Sequence, residues 1–328
     1  MRKENGMKKL SLPLIVGMTF TSVATLAPIQ STLASDVTVY GKVNLSLNKV
    51  KQESKTPEAD EWQLNSNASR LGIKGSHEIE SNLKAIYQME FEVAVDDGDT
   101  KDGNAFGQRN IYAGLESDFG TLIAGVHDTP LKNAQAKVDR FNDLPLADIK
   151  NIMEGEDRAK NIVMYTSPNL SGVSLAAAII LAEESGDDSA DDGTSFSINY
   201  KNDFLTAAIA QNSDVDDQNT TRVVADFNLG DSNIGVLWQT AENASDSSID
   251  EDSWLLSAQH KLGTYAVKAQ YGQTDYSNNK EDTLMAVGLD KKLGKKSKVY
   301  AYYSAIEKDQ GSLIADDQTL ALGYELKF

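Results

Sequence analysis

The 328-residue chain contains no cysteine. That excludes a disulfide-stapled secreted scaffold, a zinc–thiolate centre and a cysteine nucleophile. Only three histidines occur, His77, His127 and His260, and no GxSxG motif accompanies them. A serine hydrolase reading therefore has little to stand on, and the chain is expected not to be an enzyme. Aromatics make up 7% of the residues, too few for a file of sugar-stacking rings. Beyond the first thirty-odd residues no apolar run approaches the ~20 residues of a membrane helix. "VSLAAAIILA", at 173–182, is about half of that.

The N-terminus is different. Arg2, Lys3, Lys8 and Lys9 precede the apolar stretch "LSLPLIVGMTFTSVATLA", and "STLAS" follows, with Thr32 and Ala34 at the small-residue positions of a cleavage site. This is the layout of a secretory signal peptide. Residues 1–34 are expected to be removed, leaving 35–328 as one domain; Met7 is an alternative start. Removal takes away four basic residues and one acidic residue, so the net charge goes from −18 to −21.

What the rest of the chain has is alternation. "TLALGYELKF" at the C-terminus places Leu320, Leu322, Tyr324, Leu326 and Phe328 on one face. "DVTVYGKVNLSL" places Val37, Val39, Val43, Leu45 and Leu47 opposite Thr38, Tyr40, Lys42, Asn44 and Ser46. A period of two is a β-strand with one apolar face. Either a soluble sandwich or a barrel with lipid outside and water inside produces it. Sixteen such segments can be read, at about 37–49, 66–79, 82–95, 107–117, 119–128, 159–167, 171–182, 194–202, 204–212, 219–229, 233–241, 252–262, 264–274, 281–292, 297–307 and 317–328.

The connections decide between the two. Short ones such as "ESN", "DFG" and "KLGT" alternate with longer acidic ones such as "DDGDTKDGNAF", "EESGDDSADDG", "SDVDDQN" and "ENASDSSIDED". All tight turns then fall at one end, as in an outer-membrane barrel and for no reason in a sandwich. The expected fold is all-β, a sixteen-stranded antiparallel transmembrane β-barrel. Its last strand must pair with its first, because an open edge in lipid leaves backbone groups unsatisfied.

Several segments together, "VTVYGKV", "SRLGIKGSHEIESNLKAIYQMEFE", "QRNIYAGLESDFGTLIAG", "NIVMYTSPNLSGVSL" and "LGYELKF", resemble the general diffusion porins of Gram-negative bacteria. The resemblance implies an outer-membrane location, a homotrimer, a water-filled pore for small hydrophilic solutes and no nucleic-acid partner. It also implies a third external loop folded into the pore, and residues 129–158 fall there. An extra hairpin is the alternative for that segment. The terminal Tyr324, Leu326 and Phe328 resemble the signal read by the barrel-assembly machinery.

Parity points Lys42, Arg70 and Lys74 into the lumen, since a cation at mid-bilayer on the lipid face costs roughly 2–4 kcal/mol. The resemblance adds Arg109 and Arg158 to this basic wall. It assigns the acidic side to "FNDLPLAD", with Asp143 first and Asp139 and Asp148 beside it. Leu146 stands where the family usually has a further acid. Facing acidic and basic rows would set up a transverse field at the constriction. The alternative is that these are simply solvated side chains.

Acidic loops, with Asp187, Asp188, Asp191 and Asp192 in one and Asp246, Asp250, Glu251 and Asp252 in another, favour weak cation selectivity. They also allow loosely bound Ca²⁺ or Mg²⁺ bridging to lipopolysaccharide. No spaced motif marks a dedicated metal site. A surface adhesin or receptor acting through these loops is the alternative function.

Overall fold

Why the alternating segments assemble as they do is seen in the computed structural model. It describes residues 36–328 except 56, 101–102, 184–191, 247, 249, 310 and 312–313. The signal-peptide expectation and Asp187, Asp188 and Asp191 lie outside the described residues.

Among the described residues seventeen strands form one antiparallel sheet that closes on itself. They are β1 (Asp36–Gln52), β2 (Ala59–Ser66), β3 (Arg70–Glu80), β4 (Leu83–Glu92), β5 (Gly107–Ser117), β6 (Gly120–Asp128), β7 (Arg158–Thr166), β8 (Val173–Ile180) and β9 (Gly193–Lys201). The others are β10 (Leu205–Val215), β11 (Gln218–Leu229), β12 (Ser232–Asn243), β13 (Asp250–Leu262), β14 (Tyr265–Tyr276), β15 (Glu281–Lys292), β16 (Ser297–Asp309) and β17 (Ile314–Lys327). β2 and β3 both pair with β1, over Leu45–Gln52 and Asp36–Lys42 respectively, so they are two halves of one barrel strand. The barrel is therefore sixteen-stranded.

The break between β2 and β3 corrects the expected second strand. It was expected at 66–79, but it extends to Ala59, and 67–69 is a kink within it. Ala68 takes a left-handed φ of 48°. The freed backbone groups find partners: Asn67 N–H donates to Asn44 O at 2.7 Å, and Ser69 Oγ accepts from Asn44 N–H at 2.9 Å. A second correction concerns "SDVDDQN". It is no long loop. β10 and β11 join through the two residues Asp216 and Asp217, both at positive φ, with Val215 opposite Gln218. That is the geometry whose twist suits a two-residue hairpin.

Closure runs through the C-terminus. β17 pairs with β1 from Lys42↔Lys327 to Gln52↔Asp317. Phe328 N–H donates to Gly41 O at 3.1 Å, and Gly41 N–H to Phe328 O at 3.3 Å. A Cβ on Gly41 would collide with the Phe328 ring. The last residue is thus seated on the first strand, where only glycine leaves room.

The two faces differ as the alternation requires. Leu322 is 65% exposed and its neighbour Ala321 3%. Trp62, Leu64, Ile209, Trp238, Leu256, Val287, Tyr324, Leu326 and Phe328 also lie exposed on the outer face. An exposed apolar belt on every side is unstable in water and is what a bilayer covers.

The inner face holds its own core. Residues 129–157, between β6 and β7, include α1 (Pro130–Ala134) and a 3₁₀ turn, Ile149–Asn151. Val138, Ile149, Ile152 and Met153 pack on Val224, Leu237, Leu255, Leu284 and Ile306, inward positions of β11–β16. Phe141, Leu144 and Ala147 pack on Ala286, Tyr300, Tyr302 and Ala321. The wall is prepared for this approach. A Cβ on Gly288 would sit 2.8 Å from the Phe141 ring, and one on Gly235 3.0 Å from Val138 Cγ1. Each buried side chain of this size contributes about 1.5–3 kcal/mol. An ion pair near water contributes about 0–1 kcal/mol. Apolar packing therefore carries most of the seating of the segment, and buried polar contacts at its root and tip fix its ends.

Candidate functional site

The segment is tied to the wall by polar contacts as well. Ser257 Oγ donates to Val138 O at 2.6 Å, Gln270 Nε2 to Ala147 O at 2.7 Å and Lys268 Nζ to Arg140 O at 3.0 Å. At its root Arg222, fully buried, donates to Glu156 Oε1 at 2.7 Å and to Glu154 O at 3.0 Å. These hold the backbone between Phe141 and Asp148 in one place. Asp143, at φ 69°, points its carboxylate back at β1 and β3.

There it meets the expected basic residues. Asp143 Oδ2 accepts from Lys42 Nζ at 2.8 Å and from Arg70 Nη2 at 2.9 Å. Burial pushes the Asp143 carboxyl up, but the charges of Lys42 and Arg70 outweigh it and hold the group below the usual carboxylate range. Arg109 lies in the same cluster, with Nε 2.7 Å from Glu90 Oε1, and Arg70 Nη1 is 3.5 Å from the same oxygen. Tyr40 OH donates to Glu90 Oε2 at 3.0 Å. A bulge sets this up: across β4–β5 the register passes from Met89↔Ile111 to Phe91↔Gln108, so Arg109 and Asn110 together oppose Glu90. That re-aiming is why strand parity alone did not place Arg109.

The other expected residues sit elsewhere. Lys74 shares the face of Arg70 and lies 5.4 Å from the centroid of the Tyr40 ring, exposed. Arg158 pairs with Asp128 at 3.0 Å and with Asn110 Oδ1 at 2.8 Å, one step removed from the cluster. Asp139 and Asp148 turn inward into the segment itself. Asp139 accepts from the N–H groups of Phe141 and Ile149, at 2.9 and 3.1 Å. Burial, then the nearby Asp148 charge, pushes Asp139 up to about 8. Asp148 caps the 3₁₀ turn through Lys150 N–H and accepts from Asp143 N–H at 2.8 Å. Leu146, in place of an acid, packs against the apolar cluster.

Glu90, Glu92 and Tyr40 were missed as site residues. The signal was available: Glu90 and Gln88 share the inward parity of "YQMEFE", opposite Gly72 and Lys74. With Glu90 counted, acids and bases are in direct contact rather than held apart across a gap. The arrangement is a charged, hydrogen-bonded lining that a passing ion can exchange with, and it holds no nucleophile–base pair. His127 Nδ1 lies 2.8 Å from Asp128 O, and His260 Nδ1 lies 2.8 Å from Ser232 Oγ on the outer face. Among the described residues no three of His, Asp and Glu gather as a metal site.

The family model described as Gram-negative porin matches residues 15–311. The chain belongs to the Gram-negative porin family. Among curated relatives, this porin is 28% identical over 198 residues to the major outer membrane protein P.IB of Neisseria gonorrhoeae, covering 57% of this chain and 54% of that protein. It is 30% identical over 169 residues to P.IB of Neisseria sicca, covering 47% and 44%. The matches thus span about half the length of these relatives.

Among solved structures, the anion-selective porin from Comamonas acidovorans superposes with a TM-score of 0.72 at 20% identity, covering 90% of this chain and all of that one. Salmonella typhi OmpF in complex with daunomycin gives 0.70 at 15% identity, covering 89% and 97%. At such identities the likeness establishes the fold. A porin barrel with a continuous apolar belt is a protein of the outer membrane of a Gram-negative bacterium.

Proposed function

We propose that this porin is a water-filled channel for passive diffusion of ions and small hydrophilic solutes, with segment 129–157 as its constriction. The observation that carries the reading is the contrast of faces. Lys42, Asn44, Ser46, Arg70, Glu90 and Arg109 share the inner face, while the residues between them are largely apolar and outward. A closed barrel gains nothing from an ion-paired interior unless water and ions pass through it.

Selectivity is set at two places. The cluster around Asp143 combines Lys42, Arg70 and Arg109 with Asp143, Glu90 and Glu92, so its charges nearly balance. The net −21 left after removal of residues 1–34 is concentrated in the acidic loops at the mouth and gives a weak cation preference. Mouth charges are screened over about 10 Å at 0.1 M salt and about 3 Å at 1 M. Cation preference should therefore fade as salt rises. The deciding experiment is the reversal potential of purified protein in a planar bilayer under a salt gradient. A cationic sign that weakens with concentration supports the reading; an anionic sign in dilute salt defeats the selectivity part, and absence of conductance defeats the whole.

The same reading takes residues 1–34 as a cleaved signal peptide and the working unit as a homotrimer. It takes lipopolysaccharide as the surroundings of the loops, and Tyr324, Leu326 and Phe328 as the determinant read during barrel assembly. Migration of the unheated protein on a gel tests the trimer.

A further inference from the structure

The two ends of the lumen carry opposite charge. At the tight-turn end a cavity of about 1550 Å³ lies between segment 129–157 and residues of β9–β13 and β15–β17. Lys201, Lys261, Lys292, Lys295, Lys296 and Lys327 line it. Of these only Lys327 has a carboxylate within 4 Å among the described residues, that of Glu325 at 3.3 Å. The acids of the cavity are mostly occupied: Asp226 by Arg140, and Asp290 by Lys268 and Lys298. At the other end the inward positions of the same strands carry acids, Glu251 on β13, Asp282 on β15 and Asp317 on β17. Asp214 and Asp216 are exposed at the β10–β11 turn of the same rim. Nearby lysines are neutralised in pairs, Lys49 with Asp60 and Lys51 with Glu53.

The ends are far enough apart to act separately. β14 alone has 12 residues, about 40 Å at ~3.4 Å per residue, or about 30 Å along the axis of a barrel with steeply tilted strands. A Debye length at 0.1 M salt is about 10 Å. Each mouth therefore keeps its own ionic atmosphere, cations at the acidic end and anions at the lysine end.

We propose that this axial separation makes the channel rectify, as a bipolar junction does. When the acidic side is positive, cations enter through the zone that favours them and anions through the lysine zone. Both accumulate at the constriction and current is high. When the polarity is reversed, each ion must enter through the zone that repels it, the constriction is depleted and current falls. The proposal rests on the channel reading above.

The test is the current–voltage curve of the full trimer in symmetric KCl at 0.1 M and 1 M. Sidedness is fixed by a bulky impermeant maleimide on Asp246→Cys, a unique thiol in a cysteine-free chain. The expected result is a current ratio above one at 0.1 M, larger with the acidic side positive, falling towards one at 1 M. Lys261→Gln with Lys292→Gln should lose most of the ratio. Lys295→Gln with Lys296→Gln, in a turn and harmless to strand pairing, should lose part of it. Lys291→Gln, at the same height but stacked outward on Tyr265, should leave it unchanged. Equal currents in both directions at 0.1 M, or a ratio that survives both lysine pairs, overturn the proposal while leaving the channel reading intact. A barrel that conducts nothing overturns both.

Discussion

The inner wall has two regions that treat segment 129–157 differently. β11–β17 receive it with apolar side chains and glycines: Val224, Leu255, Leu284, Gly235 and Gly288 lie under Val138, Phe141 and Ile152. β1 and β3–β5 meet only its tip, and do so with charge: Lys42, Arg70, Glu90 and Arg109. The first region supplies binding energy, because apolar burial is worth several times a solvated ion pair. The second supplies an electrostatic surface that ions can share. On the channel reading proposed above both are needed, since a constriction held by the same charges that select ions would loosen with every ion that passed.

The largest way to break this division is to remove the anchor. Phe141→Ala should cost about 3–5 kcal/mol of seating energy while leaving all barrel strands intact. Conductance should rise well above that of the parent, with noisier open-channel current. Unchanged conductance would place the anchoring in the polar tip instead.

Next in size is the tip. Asp143→Ala frees Lys42 and leaves Arg70 only its 3.5 Å ion pair with Glu90, whereas Arg70→Ala leaves Asp143 with Lys42 and Glu90 with Arg109. Asp143→Ala should therefore shift the reversal potential towards anions more than Arg70→Ala shifts it towards cations. If neither variant moves it, these residues do not line the conduction path.

A smaller effect is expected at the seam. Deleting Phe328 removes its two backbone bonds to Gly41 and the ring that covers it. Gly41→Val puts a side chain where that ring lies. Both should slow appearance of the heat-resistant folded form with export unaffected. Normal assembly of Gly41→Val beside slow assembly of the deletion would mean that Phe328 acts as a recognised signal and not through its seat.

Much of the comparison was legible in the sequence. Alternation gave the sixteen strands and placed Lys42, Arg70 and Lys74 on the inner face, because a period of two leaves no freedom once one face is known. What alternation cannot see are its interruptions. The kink at Ala68 hid the outer half of one strand, and the bulge opposite Glu90 re-aimed Arg109. The resemblance put Asp143 first among Asp139, Asp143 and Asp148, but only the fold of the segment shows what each one meets. Asp143 faces the wall, whereas Asp139 and Asp148 accept backbone N–H groups inside it. The apolar seat was written as Gly235, Gly272 and Gly288 in separate strands, which no local pattern connects.

The finest test uses those two inward acids. Asp139 is pushed up to about 8, by burial first and the Asp148 charge second, from about 3.9 in an unfolded chain. Between those values the folded segment binds more protons than the unfolded one, so its stability falls as pH rises from about 4 and levels off near 8. Asp143 works in the opposite sense. Its carboxyl is held below the usual range, so its contribution is present above about 4 and is lost as pH falls through its folded value. The segment should be most firmly seated at about pH 4, so open-channel noise should rise steadily from about pH 4 to about pH 8 and rise again on further acidification. Asp148→Asn removes the like charge beside Asp139. Its alkaline limb should then end at a lower pH and be shallower, whatever the loss of a cap does to overall stability. An alkaline limb of unchanged position in Asp148→Asn would mean that burial alone raises Asp139.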